Sequence, residues 1–286
     1  MSVGSKPFAT WDEAVRWLRA QPDRQGLVRD AYYDDPLIEA AERYWRSDEW
    51  RAVRELLPRA GAALDVGAGR GIASFALARD GFAVSALEPD VSDLVGAAAI
   101  RSLASETRLP ITVVQDFSER LPFPDGSFDV VFARAALHHT RDLTAACREF
   151  ARVLRPGGCM LAIREHVISR HGDKQAFLEA HPLHWLYGGE NAFLLSEYVA
   201  ALEQAGLRLQ KVLDPFESPI NFAPHTLGGL QAEIAQRAGR ILPGAEGVAL
   251  RVLAMPPAWR VARRVLSAFD PRPGRLYSFL GTKVTA

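Results

Sequence analysis

Apolar residues over the first 60 positions recur at helical spacing. Trp11, Val15 and Leu18 fall on one face of a helix, and Leu37, Ala41, Tyr44 and Trp45 on another, before Pro58 and Gly61 end the region. From Ala62 the period changes. Short apolar runs bounded by turn residues predict strands at 62–66, 82–87, 111–115, 128–133 and 159–164. Helical patterns fill the gaps: one from 71 to 79, one beginning near Ser92, and one from 142 to 154 with Leu143, Cys147, Phe150 and Leu154 on a single face. Asp142 suits the N-cap of that last helix, and Pro156-Gly157-Gly158 stops it. Strands alternating with helices predict an α/β fold around a parallel sheet.

Residues 165–195 follow no period and are rich in His, Gly and aromatics, the texture of a loop lying over a site. Ser196 is then expected to cap a helix that ends at Gly206, followed by strands at 207–213 and 276–283 with a mainly helical insert at about 225–270 between them. The expected organisation is a helical N-terminal extension or cap over 1–60 and one decorated domain over 61–286.

With 48% apolar and 24% charged residues, the 286-residue chain can bury a sizeable core. Basic and acidic residues number 34 each, which disfavours nucleic acid as a partner held by bulk charge. The balance is global and not local: residues 251–286 carry seven basic side chains against one acidic, so that segment is the place to look for an anionic acceptor. Arg outnumbers Lys by 30 to 4, a bias expected of a GC-rich bacterial genome rather than of function. Cys147 and Cys159 form neither a CxxC pair nor a zinc spacing, so no disulfide scaffold is expected. Residues 1–17 include Asp12 and Glu13 and lack an apolar run, which argues against a signal peptide or membrane span and makes a cytoplasmic protein the expectation.

The strongest chemical signal is Leu64-Asp65-Val66-Gly67-Ala68-Gly69-Arg70-Gly71, a strand entering a glycine turn before a helix. Such a turn lets a ligand approach the backbone and meet the free N–H groups of a helix start. Ile72 stands where the dinucleotide fingerprint needs its third glycine, and the triphosphate-loop pattern is absent. Asp65 in the turn region would repel a pyrophosphate and welcome a cationic amino acid group. Glu88 ends the second strand, 23 residues on, where a carboxylate can accept from both hydroxyls of a ribose. Asp116 ends the third strand, in reach of an adenine amino group, with Phe117 beside the ring.

The chain resembles the class I S-adenosylmethionine-dependent methyltransferases, in the type 11 branch similar to the ubiquinone/menaquinone C-methyltransferases. The stretches that carry the resemblance are LDVGAGRG (64–71), ALEPD (86–90), LPFPDGSFDVVFARAALHH (121–139) and REFARVLRPGGCMLAI (148–163), about 100 residues in the family's order. The resemblance implies S-adenosyl-L-methionine as cofactor and a Rossmann-like seven-stranded sheet with helices on both faces, its last strand antiparallel. It implies that Asp65, Gly67, Ala68 and Gly69 hold the methionine part, Glu88 with Pro89 the ribose, and Asp116 with Phe117 the adenine; Arg134, after the fourth strand, is assigned to the same site.

Methyl transfer from a sulfonium is an in-line displacement, helped by a base when the acceptor is a hydroxyl. The segment 134–139 lacks the motifs of nucleobase methyltransferases. His138 and His139 are candidate bases, although paired histidines are frequent in this branch and a supporting role is as strong a reading. Glu165 and His166, expected at the end of the fifth strand, are the favoured acceptor-side pair, in a cluster with His171, His181, His184, Tyr187, Glu190 and Asn191. Tyr187-Gly188-Gly189-Glu190-Asn191 suits a lid or a sugar-contacting turn, or a plain connection. Irregular His spacing and few carboxylates disfavour a metal, and none is assigned. Within 258–269, Trp259, Ala262, Leu266 and Phe269 share a helical face that either packs on the domain or docks on an anionic membrane. The expected reaction is methyl transfer to a hydroxyl of a small-molecule, glycan or lipid-linked acceptor. The alternatives are C-methylation of a quinone-like or lipidic ring, and an inactive cofactor-binding partner subunit.

Overall fold

In the computed structural model, which describes residues 6–181 and 183–284, the apolar runs form the strands of one sheet. The strands are β1 (Gly61–Val66), β2 (Phe82–Leu87), β3 (Ile111–Val114), β4 (Phe128–Arg134), β5 (Leu154–Ile168), β6 (Phe193–Leu194), β7 (Leu207–Leu213) and β8 (Gly274–Lys283). Their order is β3-β2-β1-β4-β5-β8-β7. The first five are parallel, and β8 runs antiparallel to both β5 and β7. This is the seven-stranded methyltransferase pattern, with β6 added as a two-residue strand on the far end of β5.

The helices are α1 (Trp11–Arg19), α2 (Gln25–Asp30), α3 (Leu37–Trp45), α4 (Asp48–Arg54), α5 (Ile72–Arg79), α6 (Ala97–Thr107), α7 (Leu143–Val153), α8 (Lys174–Ala180), α9 (Leu195–Gln204), α10 (Pro219–Phe222), α11 (Leu227–Ile241), α12 (Glu246–Leu253) and α13 (Pro256–Ala268). Alternate residues of β4 feed opposite faces of the sheet, as the pleat requires. Val131 and Ala133 pack with Cys147 and Phe150 of α7 and Tyr198 of α9. Val130 and Phe132 pack with Tyr44 of α3, Trp50 of α4 and Phe75 of α5. The N-terminal helices α3 and α4 therefore form part of one core layer. Asp80 pins them there by accepting from the indole N–H groups of Trp45 and Trp50, each at 2.8 Å, and from Arg54 at 2.6 Å.

Three local boundaries differ from the sequence expectation. The helix expected near Ser92 begins at Ala97, because Asp90 first closes a tight turn, its side chain accepting from Ser92 N–H and its carbonyl from Ala97 N–H. Ser196 does not cap α9; Leu194 occupies that position and its N–H donates to Glu197 at 2.6 Å. Strand β5 runs on to Ile168 through an irregularity between Ala162 and Glu165, where Arg164 has φ +59°. Glu165 and His166 thus lie inside the strand rather than at its end. No described helix is long and apolar enough to cross a membrane.

Candidate active site

The carboxyl ends of β1, β2 and β4 meet at the glycine turn. Gly67 has φ +64°, and a side chain there would bring its Cβ to 2.7 Å from Ala136 Cβ, so only glycine lets the turn lie against the segment that follows β4. Gly69 donates to Glu88 Oε2 at 2.7 Å, and Asp90 N–H donates to Glu88 Oε1 at 2.9 Å. Burial pushes the Glu88 carboxyl up to about 7, against the pull of those two amides. Phe117 presents a 58% exposed ring beyond β3, with the Arg141 guanidinium 5.8 Å from its centre, and Asp116 accepts from the Phe117 N–H. A cradle that excludes side chains, a carboxylate at the end of β2 and an open aromatic face suit a nucleoside cofactor without a phosphate chain.

Two residues assigned to the cofactor make other contacts. Asp65 is 1% exposed and accepts from the Ser74 hydroxyl of α5 at 2.6 Å, and burial raises its carboxyl to about 7. Arg134 turns to the α3–α4 face, where it pairs with Glu49 at 2.7 and 3.2 Å and lies over Tyr44 and Tyr32. Its guanidinium is taken up by this pairing, because position 134 shares the face of Phe132 and not that of Ala133. Arg29, Arg43, Arg134, Arg164 and His225 line a cavity of about 250 Å³ together with Asp30, Asp48 and Glu49. Nothing in the spacing of Glu49 or Arg164 signals this pocket. Its parts come from the N-terminal helices, two strands and the segment before α11.

The acceptor-side histidines converge. Glu165, fully buried, accepts from the N–H groups of Ala136, Leu137 and His138 at 3.2, 3.1 and 2.9 Å and from His138 Nδ1 at 2.7 Å. It thereby fixes the 3-10 turn Leu137–His139. His138 stacks on His166, with ring centres 3.8 Å apart, and His166 Nδ1 donates to the Asn191 carbonyl at 3.2 Å. The turn Gly188-Gly189, with both φ values positive, swings Glu190 into the centre. There Glu190 Oε2 lies 3.3 Å from His138 Nε2, 3.5 Å from His166 Nδ1 and 3.8 Å from His139 Nε2. His181 Nδ1 is 3.8 Å from the other oxygen.

The electrostatics follow from that sandwich. Burial opposes charge on His138, yet hydrogen bonds to Glu165 and Glu190 push it up to about 9. Burial and the charge on His138 hold His166 well below the usual histidine range. Burial would raise Glu190, but His138 and its neighbours hold it below the usual carboxylate range. His139 is the open member, its side chain 43% exposed, with Nδ1 against the Gly189 carbonyl at 2.9 Å. His171 lies exposed outside the cluster. Glu190 is its hub, and only the proximity of YGGEN to the histidines in the sequence pointed that way.

The basic C-terminal segment is paired in part, with Arg251, Arg260 and Arg264 exposed. Arg263 meets Asp214 and Glu217, Arg272 meets Asp270, and Lys283 donates to backbone carbonyls of Arg152 and Leu154. On α13, Trp259, Ala262 and Leu266 pack inward as expected, while Phe269 is 80% exposed because the helix stops one residue before it.

Residues 64–162 match the family described as methyltransferase domain. The chain is 32% identical over 247 residues to methyltransferase GfsG of Streptomyces halstedii, covering 84% of each protein. It is 34% identical over 142 residues to a ubiquinone biosynthesis O-methyltransferase of Xanthomonas campestris, covering 44% of this chain and 57% of that one. Several other curated relatives are spanned over less than half of their length. A solved geranyl diphosphate methyltransferase in complex with GPP and sinefungin shares the fold, with a TM-score of 0.60 and 16% identity over 96% of this chain and 99% of that one. With this match along most of its length and a glycine cradle suited to a nucleoside, the chain belongs to the class I S-adenosylmethionine-dependent methyltransferases, in the type 11 branch.

Proposed function

We propose that this enzyme transfers a methyl group to a hydroxyl of a small-molecule or glycan acceptor that enters beside the Leu137–His139 turn. The observation that carries this reading is the His139–Glu190 pair, an exposed imidazole backed by a buried carboxylate next to the glycine turn. The cofactor supplies an electrophilic methyl carbon on a sulfonium, so the protein needs no covalent intermediate. Gly67, Ala68 and Gly69 hold its amino acid end, Glu88 with Pro89 its ribose, and Asp116 with Phe117 its adenine.

The chain's own part is to orient the acceptor and to take its proton. Glu165 acts as a positioning residue through three backbone amides, and His138, held charged between two carboxylates, keeps Glu190 ionised. The proton leaves toward His139 Nε2, since His139 Nδ1 is committed to the Gly189 carbonyl, and the Glu190 carboxylate 3.8 Å away offsets the charge that forms on the ring. His166 is buried and its Nδ1 is engaged, which favours a supporting role over that of base.

Turnover at saturating cofactor tests the assignment. His139→Ala and Glu190→Gln are each expected to lower kcat by about 10²-fold or more, the usual contribution of a positioned base, with S-adenosylhomocysteine affinity within about twofold of wild type. Undiminished kcat in both variants would remove the cluster from the chemistry.

A further inference from the structure

The histidine cluster holds more buried negative charge than its hydrogen bonds explain. Glu165 is fully buried and Glu190 is 9% exposed, and Glu190 Oε2 is without a hydrogen bond although three imidazole nitrogens lie within 3.8 Å of it. A buried carboxylate in that position calls for a cation.

Tautomers decide which nitrogens can serve one. His138 Nδ1 faces the Glu165 carboxylate at 2.7 Å and His139 Nδ1 faces the Gly189 carbonyl at 2.9 Å, so both Nδ1 atoms carry a proton; His139 Nε2 turns a lone pair toward Glu190, and His138 Nε2 does so once an ion takes the place of the proton that charges this ring. Metal-bound histidines are oriented this way, the second ring nitrogen donating to a carboxylate or a backbone carbonyl. A second grouping, His166, His181 and Glu190, lies equally close but is already engaged. His166 Nδ1 donates to Asn191, and His181 Nδ1 accepts from the Leu183 N–H at 3.4 Å.

We infer that His138 Nε2, His139 Nε2 and Glu190 Oε2 form a binding site for one divalent transition-metal ion, open to the acceptor at His139. The two nitrogens stand 3.3 and 3.8 Å from the oxygen. An ion at roughly 2.0–2.2 Å from each ligand in a tetrahedral site spaces its ligands about 3.3–3.6 Å apart; the His138–Glu190 separation already matches, the His139–Glu190 separation would close by a few tenths of an ångström, and all three atoms lie within 4.8 Å of one another. Two imidazoles and a carboxylate suit zinc, cobalt, iron or manganese more than magnesium or calcium. The site deepens the acceptor reading and rests on it for its role: with the ion in place, His139 Nε2 and Glu190 Oε2 would serve as ligands instead of taking the proton, and an acceptor hydroxyl on the ion would lose its proton more easily, to solvent water at the open side of His139. The spacing of the histidines within 166–184 hid the site, because its ligands come from the turn after β4 and from the double-glycine turn.

The test is direct metal binding by untagged, chelator-stripped protein, followed by calorimetry with Zn²⁺ and visible absorption with Co²⁺. One ion per chain is expected. Glu190→Gln and His138→Ala should weaken binding at least about 100-fold, and Glu165→Gln by about 10–100-fold, as loss of an outer-shell partner does. His171→Ala should leave it unchanged. S-adenosylhomocysteine titration of each variant verifies the fold, and the half-exposed His139→Ala serves if a buried variant fails to fold. No saturable binding in the wild type, or binding that survives both Glu190→Gln and His139→Ala, would overturn the site. Stripped protein that binds no ion yet methylates hydroxyls would overturn the metal site and leave the acceptor reading standing. One ion bound with the methyl delivered to carbon would keep the site and overturn the hydroxyl assignment.

Discussion

Two carboxylates of this enzyme do different work because of what surrounds them. Glu88 is pushed up to about 7 by burial, from 4.5, so the folded free protein keeps its proton longer than the unfolded chain does. Its contribution to stability is therefore present below pH 4.5 and is lost as the pH climbs toward 7. Cofactor binding follows the opposite trend, since only the ionised carboxylate accepts from both ribose hydroxyls. S-adenosylhomocysteine affinity should rise by up to about tenfold per pH unit below 7 and level off above, while Glu88→Gln should bind weakly with a flatter pH profile. Calorimetry across that range checks both. Glu165, by contrast, is surrounded by donors. Removing it in Glu165→Ala leaves three backbone N–H groups and the His138 ring without their partner, and denaturant unfolding should show a loss of about 3–5 kcal/mol.

Among the elements, those with a strong local period were legible from the chain. The glycine turn between β1 and α5 and the Asp142 cap of α7, whose side chain accepts from Ala145 N–H at 2.9 Å, lie where local chemistry puts them. What local chemistry could not show was the continuation of β5. The left-handed residue at Arg164 interrupts the apolar run, but pairing with β8 on the far side carries the strand to Ile168 and buries Glu165. The partner of Arg134 was hidden for a similar reason: Glu49 lies 85 residues away on α4. Helix α13 illustrates a packed face on a lightly anchored element. Trp259 is 8% exposed against Phe222, Leu230 and Leu253, whereas Val261, Val265 and Phe269 face outward. Trp259→Ala should cost about 3 kcal/mol and speed hydrogen exchange across α11–α13, with cofactor affinity unchanged.

For the whole molecule, neutrality was a weak guide. The basic excess near the C-terminus is answered only in part, by Asp214, Glu217 and Asp270, and a charged concavity lies between the N-terminal helices and β4–β5. The carboxyl ends of β1, β2 and β4 meet at the glycine turn, and the turn after β4 sets the histidine cluster beside it. Among the similar proteins, one is named for ubiquinone biosynthesis and O-methylation, and one that shares the fold is named for geranyl diphosphate. The central claim is that the methyl group reaches an oxygen. Incubating the enzyme with methyl-labelled S-adenosylmethionine and a panel of hydroxylated small molecules and glycans, then reading the product by carbon NMR, decides it. The account predicts a labelled methoxy carbon, formed by the wild type and nearly absent with His139→Ala; a labelled carbon-bound methyl, or no transfer across the panel, would contradict it.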